Sequence, residues 1–228
     1  MEREQKNDRA STVGLLIFDL DGTLADTLEG IRDGVNLAME RYGYPMRSME
    51  QIRSAIGNGA RELIRRSMPE SAAEDAELVG RVFADYDRLY GQTFRHVHVY
   101  EGMAETLAML RERGYRLAVL SNKQDFYVKA LTEELFGKEL FCFVAGQTDL
   151  PKKPNPTVPL SLAQTIGFAP AACAMVGDSE VDIRTGKNAG MMSVGCSWGY
   201  RSREVLLAEH ADVMISHPQE LLAVFSMR

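Results

Sequence analysis

The stretch that decides the fold is Leu15-Leu16-Ile17-Phe18-Asp19-Leu20-Asp21-Gly22-Thr23. Its four consecutive apolar residues favour a buried β-strand, and two carboxylates, a glycine and a threonine follow at once. Open α/β sheets bind ligands outside the carboxyl ends of their strands, so this order places Asp19 and Asp21 where a ligand would lie. Two carboxylates this close repel each other unless a cation lies between them or their roles differ. A simple turn is the alternative interpretation, because Asp, Gly and Thr all favour turns.

Composition and charge narrow the class of protein. The 228 residues, 45% hydrophobic and 25% charged, are typical of a globular protein with one large domain or a core with an insert. A formal charge of −6 predicts no nucleic-acid partner. Three cysteines without zinc spacing, Cys142, Cys173 and Cys196, predict reduced core residues in a cytoplasmic protein. The polar segment Met1–Ser11 resembles neither a signal peptide nor a membrane span, so we expect a frayed tail and no membrane association.

Short apolar runs rich in branched residues recur and predict β-strands. These runs are Val13–Phe18, Arg116–Leu120, Phe141–Ala145, Cys173–Val176, Met192–Cys196 and Val213–Ile215. Helical patterns lie between them, at Gly102–Arg113, Phe126–Phe136, Val158–Ile166 and Val181–Ala189, and a glycine follows each. This alternation predicts an α/β fold with a mostly parallel, Rossmann-like sheet.

One region, from about Thr27 to Phe94, contains no strand-like run. Apolar periodicity marks helices from Ile31 to Met39, from Ile52 to Arg66 and from Ala76 to Leu89. We expect a four-helix cap domain at residues 27–94, inserted after the first strand of an α/β core formed by residues 1–26 and 95–228. Such a cap would cover the two carboxylates as a substrate lid.

Polar residues also follow three later strands. The segments are Ser121-Asn122-Lys123, the proline-rich loop with Lys152-Lys153-Pro154, and Gly177-Asp178-Ser179 with Asp182. Parallel strands end at one sheet edge, so carboxylates, a hydroxyl, an amide and a lysine are expected to meet there. Carboxylate oxygens suit Mg²⁺, while Ser, Asn and Lys donate hydrogen bonds to an anion. Helix capping or solvation explains each segment singly, but not their joint occurrence after four strands.

These segments together resemble the four motifs of the haloacid dehalogenase superfamily. The resemblance runs from about Val13 to the end of the chain, and the insert is similar to the superfamily's small helical cap. Two further segments, Gly57-Asn58-Gly59-Ala60 and Ser197-Trp198-Gly199-Tyr200, are similar to the phosphoglycolate phosphatase branch.

The resemblance implies a Mg²⁺-dependent phosphatase that acts on a small phosphomonoester through an aspartyl-phosphate. Asp19 would be the nucleophile, and Asp21 would protonate the leaving oxygen and then deprotonate water. The metal would bind the carboxylates of Asp19 and Asp178 and the backbone carbonyl of Asp21. Asp182 would act outside the direct metal ligands or through water.

The resemblance also assigns residues to the phosphoryl group. Ser121 and Lys153 would bind its oxygens, and the lysine would offset the charge of the acids and the substrate. Asn122 would orient the substrate or a neighbouring loop. Lys152 is the alternative to Lys153, because only the following Pro154 favours Lys153.

Residues expected to contact the substrate are Gly22 and Thr23 in the first motif and Gly57, Asn58, Gly59 and Arg61 in the cap. The cap segment offers backbone donors, an amide and a guanidinium, which suit a second small anionic group such as a carboxylate. Alternatively, Arg61 belongs to a solvated helix face with Arg65 and Arg66. The resemblance favours 2-phosphoglycolate as the substrate.

Several alternatives stay open at this point. A pyrophosphatase or a sugar-phosphate phosphomutase would use the same acids, and a non-catalytic phosphate-binding regulator belongs to a different class. Asp21 argues against a dehalogenase, because a halide needs no proton. His96 and His98 alternate as on a strand and would suggest a metal site, but we favour a linker that returns from cap to core. Monomer and homodimer are both compatible with the sequence.

Overall fold

The computed structural model describes Ala10 and residues 12–226, so all of the predicted tail except Ala10 lies outside the described residues. A six-stranded sheet with the order β5-β4-β1-β6-β7-β8 forms the centre, and every neighbouring pair in it is parallel. Its strands are β1 (Leu15–Phe18), β4 (Arg116–Gln124), β5 (Phe143–Gln147), β6 (Cys173–Gly177), β7 (Met192–Cys196) and β8 (Val213–Ile215). The predicted α/β class with a mostly parallel sheet is confirmed.

Helices cover both faces of this sheet. They are α6 (Met103–Glu112), α7 (Asp125–Phe136), α8 (Thr157–Ile166), α9 (Glu180–Asn188), α10 (Arg203–Ala208) and α11 (Leu221–Val224). Alternate residues of β1 enter different cores: Leu16 and Phe18 pack in the cluster that includes α6 and α7, and Leu15 and Ile17 in the cluster that includes α8. A strand buried on both faces has no polar side, which explains why β1 is a continuous apolar run.

An all-helical insert lies between two short strands, β2 (Ala25–Asp26) and β3 (His98–Val99), which pair antiparallel. Its helices are α1 (Leu28–Arg41), α2 (Met49–Ala55), α3 (Ala60–Ser67), α4 (Glu70–Ala73) and α5 (Ala76–Tyr90). The insert thus has five helices rather than the expected four, because the single-turn α4 also forms. The pattern from Ile52 to Arg66 is divided into α2 and α3 at Gly57 and Gly59, whose φ angles of 108° and 84° are incompatible with a continuous helix. The domain boundaries at residues 27–94 stay a prediction.

The bounds of β4 and β5 differ most from the sequence prediction. Strand β4 continues past Leu120 to Gln124, with a shift in its register against β5, so Ser121 to Lys123 belong to the end of the strand rather than to a following loop. Strand β5 begins at Phe143 and ends at Gln147, two residues later at each end than expected. Ser121, Asn122 and Lys123 therefore lie in extended backbone at the carboxyl end of β4.

The two histidines near the end of the insert lie apart from the acidic cluster. His98 is in β3 opposite Asp26, and His96 Nδ1 lies 2.9 Å from Asp33 Oδ2. Neither belongs to a group of metal-ligating side chains in the described part of the chain. The linker interpretation therefore describes them better than the metal interpretation. Among the described helices, none is both long enough and apolar enough to cross a bilayer.

Candidate active site

The register of the sheet brings the predicted motifs together. Phe18 lies between Val119 of β4 and Val176 of β6, so the residues that follow these three positions emerge side by side. The backbone N–H of Asp19 also donates to the carbonyl of Val176 over 2.9 Å, which extends the pairing by one residue. Strand pairing thus sets the positions from which the acidic side chains project.

Lys153 lies between two acids at the centre of this cluster. Its Nζ is 3.0 Å from Asp19 Oδ1 and 2.7 Å from Asp182 Oδ1, and both Lys153 and Asp182 are buried. Burial alone would lower the pKa of Lys153, but the charges of Asp182 and Asp19 outweigh it and leave that pKa above its ordinary value. Lys152 instead donates to the carbonyl oxygen of Asn58, so the geometry favours Lys153 for the role at the acids.

Asp19 is held at one oxygen. The backbone N–H of Leu20 donates to Oδ1 over 2.7 Å, and Lys153 binds the same atom. In the described part of the chain Oδ2 accepts no hydrogen bond. Burial raises the pKa of Asp19 to about 6, because the charge of Lys153 only partly offsets desolvation and the repulsion from Asp182 and Asp21.

Asp178 is the third acid of the cluster, and it is buried. Its Oδ1 accepts a hydrogen bond from Thr23 Oγ1 over 3.1 Å, and its Oδ2 accepts one from the backbone N–H of Tyr200 over 2.7 Å. Burial, with repulsion from the other two acids, raises the pKa of Asp178 well above its usual range. A Cβ at Gly22 would lie 2.4 Å from Asp178 Oδ2, so only glycine fits there. Gly22 and Thr23 therefore contact the acid Asp178, whereas we expected them to contact the substrate.

These three carboxylates form a group that could hold a divalent metal ion. One oxygen each from Asp19, Asp178 and Asp182 lies within 4.8 Å of the others. Three carboxylates face one ammonium in a buried site, and a hard divalent cation would neutralise the excess negative charge. Both oxygens of Asp182 already accept hydrogen bonds, Oδ1 from Lys153 and Oδ2 from Ser179. Both oxygens of Asp178 also accept hydrogen bonds, so these contacts do not separate the two acids, and the position of Asp182 outside the direct ligands stays a prediction.

Asp21 has partners that the sequence analysis did not assign. Lys123 Nζ lies 3.0 Å and 3.3 Å from its two carboxylate oxygens, and Thr27 Oγ1 donates to Oδ1 over 2.5 Å. The ammonium of Lys123 also lies 4.9 Å from the ring centroid of Tyr90, within cation–π range. In the sequence, the position of Lys123 directly after Ser121-Asn122 is the one sign that it belongs to the site. Nothing in the sequence indicates that Thr27 contacts Asp21.

Asn122 connects three segments. Its Oδ1 accepts from the backbone N–H of Lys153 over 2.9 Å, and its Nδ2 donates to the carbonyls of Lys153 and Gly57 over 3.0 Å and 3.1 Å. Because its polar atoms are engaged in this way, Asn122 fits the role of orienting neighbouring loops. Ser121 is buried at the same sheet end and accepts from the backbone N–H of Lys123.

A small cavity of about 60 Å³ lies between the acids and the insert. Its lining from the core includes Asp19, Asp21, Ser121, Asn122, Lys123, Lys153, Asp178, Asp182, Tyr200 and Arg201, and its lining from the insert includes Ile31, Ile56, Gly57, Gly59, Ala60, Leu63 and Tyr86. The backbone of Gly57 and Gly59 therefore faces the site as expected. Tyr86 and Arg201 are lining residues that sequence reasoning missed.

Two expected cap contacts differ from the prediction. Arg61 is exposed, donates to the carbonyl of Ala76 over 3.1 Å and lies outside the cavity lining, so this structure does not support its contact with substrate. Asn58 is also absent from the lining, and its carbonyl binds Lys152. For Arg61 the physical reason is helix geometry: the side chain one position after Ala60 is rotated by about 100° and points along a different face of α3.

The fold and the site together define an α/β enzyme with a carboxylate cluster and a lysine at the carboxyl edge of its sheet. The sequence pattern of the haloacid dehalogenase-like hydrolases matches residues 16–196. The chain belongs to this family.

Curated relatives extend over nearly the whole chain. The phosphoglycolate phosphatase of Aliivibrio fischeri is 35% identical over 221 residues, which cover 94% of this chain and 97% of that protein. The phosphoglycolate phosphatase of Pseudomonas putida is 32% identical over 212 residues, which cover 91% of this chain and 78% of that protein.

Solved structures show the same architecture. A structure described as a predicted phosphoglycolate phosphatase from Haemophilus somnus superimposes with a TM-score of 0.87 at 28% identity, and covers 93% of this chain and 98% of that chain. A subfamily IA hydrolase of the superfamily from Geobacter sulfurreducens has a TM-score of 0.68 at 23% identity over 93% of this chain and 99% of that chain, and this shows the fold alone. The predicted family and the predicted enzyme class, a phosphoric monoester hydrolase, are confirmed.

Proposed function

We propose that the protein is a Mg²⁺-dependent phosphatase that hydrolyses 2-phosphoglycolate to glycolate and phosphate through a phosphorylated Asp19. The observation that carries this proposal is the Asp19 carboxylate beside Lys153, in the lining of a small cavity between the core and the helical insert. The names of the curated relatives support the substrate.

Asp19 is suited to attack phosphorus. Leu20 and Lys153 hold Oδ1, while Oδ2 accepts no hydrogen bond from the described residues and retains its lone pairs for attack. In the first step a bond forms between this oxygen and phosphorus, and the bond from phosphorus to the glycolate oxygen breaks. The covalent intermediate divides one difficult displacement into two easier ones.

Asp21 is suited to move the proton. It donates a proton to the departing glycolate oxygen, and in the second step it accepts one from the water that attacks phosphorus. The bond between phosphorus and Asp19 then breaks and restores the carboxylate. Lys123 and Thr27 restrict the position of the Asp21 carboxyl, which keeps the proton within reach of the reacting oxygen.

The phosphoryl oxygens need positive charge and hydrogen-bond donors. Lys153 supplies an ammonium, and Ser121 supplies a hydroxyl from the end of β4. Asp19 and Asp178 would hold Mg²⁺, which when bound neutralises the carboxylates and polarises a phosphate oxygen. Burial, with repulsion between the acids, raises the pKa of Asp19 and of Asp178, and a bound cation would favour their charged forms.

The size of the cavity supports a small substrate. A volume of about 60 Å³ suits a phosphate with a two-carbon group better than a phosphorylated sugar. The backbone of Gly57, Gly59 and Ala60 faces this space at the start of α3, and the N-terminus of a helix favours an anion such as a carboxylate. These features support 2-phosphoglycolate over the substrate of a sugar-phosphate phosphomutase.

The test compares kcat/KM for 2-phosphoglycolate, pyrophosphate and glucose 6-phosphate, with and without Mg²⁺. We expect 2-phosphoglycolate to be preferred, and chelation of Mg²⁺ to abolish its hydrolysis. Asp19→Asn should lower kcat by about 10³-fold or more, since the nucleophile is removed. Preference for pyrophosphate or the sugar phosphate would contradict the substrate, and near-normal turnover by a folded Asp19→Asn protein would contradict the mechanism.

We also propose that the enzyme works in the cytoplasm. All three cysteines carry free thiols, and two of them, Cys173 and Cys196, are buried. Free thiols are compatible with a reducing compartment.

A further inference from the structure

Three side chains of the core bind three successive carbonyl groups of the insert. The segment concerned joins α2 to α3 and comprises residues 56–59; we call it the cap loop. Arg201 Nη2 donates to the carbonyl of Ile56 over 2.7 Å, Asn122 Nδ2 to that of Gly57 over 3.1 Å, and Lys152 Nζ to that of Asn58 over 2.5 Å. The donors come from three different segments of the core, so the loop is held at several points.

Arg201 makes the most extensive of these contacts. Its Nη1 also donates to the carbonyl of Arg53 over 2.6 Å, so the guanidinium spans two carbonyls at the C-terminal end of α2. A cation is favourable at this end of a helix. Its Nε lies 3.1 Å from Glu180 Oε2, and only 15% of the Arg201 side chain is exposed. Charged, partly desolvated hydrogen bonds of this kind are stronger than neutral ones.

The position of Glu180 links this contact to the acids. Glu180 begins α9, the helix whose first turn carries Asp182. The residue before Arg201, Tyr200, donates its backbone N–H to Asp178. The segment that holds the cap loop is therefore positioned by the same elements that hold the carboxylates.

We propose that Arg201 is a positioning residue that keeps the cap loop closed over Asp19 and thereby determines the preference for small substrates. This inference rests on the proposed phosphatase function. Gly57 and Gly59 line the same cavity as Asp19. A loop whose Ile56 carbonyl is bound by the core therefore keeps these two glycines beside the acid.

The three holding side chains are not equivalent. Lys152 is exposed, so solvent weakens its contribution. Asn122 also holds both backbone groups of Lys153, and its loss would disturb the acids directly. The described partners of Arg201 are Glu180, Arg53 and Ile56, none of which is a proposed catalytic acid, so its removal affects the loop more selectively than the loss of Asn122. A lysine at this position has no planar fork and cannot span the two carbonyls in the same way.

The experiment compares Arg201→Ala, Arg201→Lys and the control Arg203→Ala, which removes an exposed arginine two positions later. We expect Arg201→Ala to lower kcat/KM for 2-phosphoglycolate about 10- to 100-fold, through both kcat and KM, because the substrate is no longer enclosed. Hydrolysis of para-nitrophenyl phosphate, whose aryl group needs no closed loop, should change by less than about threefold. Arg201→Lys should be intermediate, and Arg203→Ala should match the wild type.

Amide hydrogen exchange provides a readout besides activity. Residues 53–62 should exchange faster in Arg201→Ala than in the wild type, while exchange in β1 and β6 stays unchanged. Equal losses on both substrates, or unchanged exchange in residues 53–62, would overturn the proposal for Arg201. A wild-type enzyme that hydrolyses neither phosphate ester would instead contradict the proposed function, and the exchange comparison would still decide whether Arg201 holds the loop.

Discussion

Lys153 is a single ammonium among three mostly buried carboxylates, Asp19, Asp178 and Asp182. Buried charges are stable only when they are paired and hydrogen-bonded, and one ammonium cannot neutralise three acids. Burial is the largest cause of the raised pKa values of Asp19 and Asp178, and repulsion between the acids adds to it. At this scale the cluster is one that could hold a divalent cation, as the proposed function requires.

The charge of Asp19 predicts how stability changes with pH in the metal-free protein. Its pKa rises from 3.8 to about 6 on folding, so the folded state binds the proton more tightly than the unfolded state. The free energy of unfolding should therefore fall as the pH rises from about 4 to about 6, by on the order of 2 kcal/mol from this group. Urea unfolding in EDTA at several pH values measures the effect.

The matched variant for this measurement is Asp19→Asn, which removes the titrating group. As the pH rises across the same interval, the free energy of unfolding of this variant should decrease less than that of the wild type. Asp149→Asn, which changes an exposed acid, should follow the wild type. Parallel pH profiles for Asp19→Asn and the wild type would show that Asp19 does not carry this charge effect.

Single elements place two of these acids by different means. Strand β1 delivers Asp19 at its end, whereas Asp182 lies in the first turn of α9. There Asp182 forms a capping box with Ser179, and its second oxygen binds Lys153. The same carboxylate thus stabilises the start of the helix and orients the lysine. The carboxylate thus makes the contact of a helix cap and the contact with Lys153 at the same time, and its part in catalysis stays a prediction.

This arrangement predicts different effects of Asp178 and Asp182 on metal binding. Asp178→Asn should weaken Mg²⁺ binding more than Asp182→Asn, because Asp178 is the proposed ligand and Asp182 acts through Lys153. Asp182→Asn should lower the affinity for Mg²⁺ about 10- to 100-fold, as expected for a residue that supports the ligands. Asp178→Asn should lower it further, because a ligand itself is lost. Isothermal titration calorimetry with Mg²⁺ measures both, with Asp149→Asn as the control. A larger loss of Mg²⁺ affinity in Asp182→Asn than in Asp178→Asn would show that Asp182 is the ligand and Asp178 the supporting residue.

On the scale of the whole molecule, one segment after β7 joins the core to two separate parts of the insert, its start and the end of α2. Tyr200 accepts a hydrogen bond at its hydroxyl from the backbone N–H of Thr27 over 2.8 Å, and donates to Asp26 Oδ1 over 2.9 Å. Arg201, next in sequence, donates to the carbonyls of Arg53 and Ile56 at the end of α2. Closure of the cavity and the position of Asp178 therefore depend on one short stretch of chain.

Removal of the Tyr200 hydroxyl tests this connection. Tyr200→Phe leaves the buried N–H of Thr27 without its acceptor, which should lower the free energy of unfolding by about 1–3 kcal/mol. Urea unfolding without metal measures the loss. Tyr44→Phe removes a hydroxyl that makes no hydrogen bond in the described part of the chain, and it should change stability by less than about 0.5 kcal/mol. Similar values for the two variants would show that the Tyr200 contact contributes little.

The sequence by itself was sufficient for the features that depend on local pattern. Continuous apolar runs predict buried strands, and polar residues directly after them must lie at one edge of a parallel sheet. For this reason the α/β class, the family and the proximity of Asp19, Lys153 and Asp178 were predictable. The roles of these residues in catalysis stay predictions.

Only the tertiary structure decided the contacts between distant segments. Lys123 reaches Asp21 across 102 positions of sequence, and Arg201 reaches Ile56 across 145. Arg61, adjacent to the cavity in sequence, points away from it. Such contacts depend on the orientation of the insert over the core and on which face of each helix turns inward. The orientation of the insert results from the packing of many side chains at once. The apolar periodicity of a single segment therefore carries no information on it.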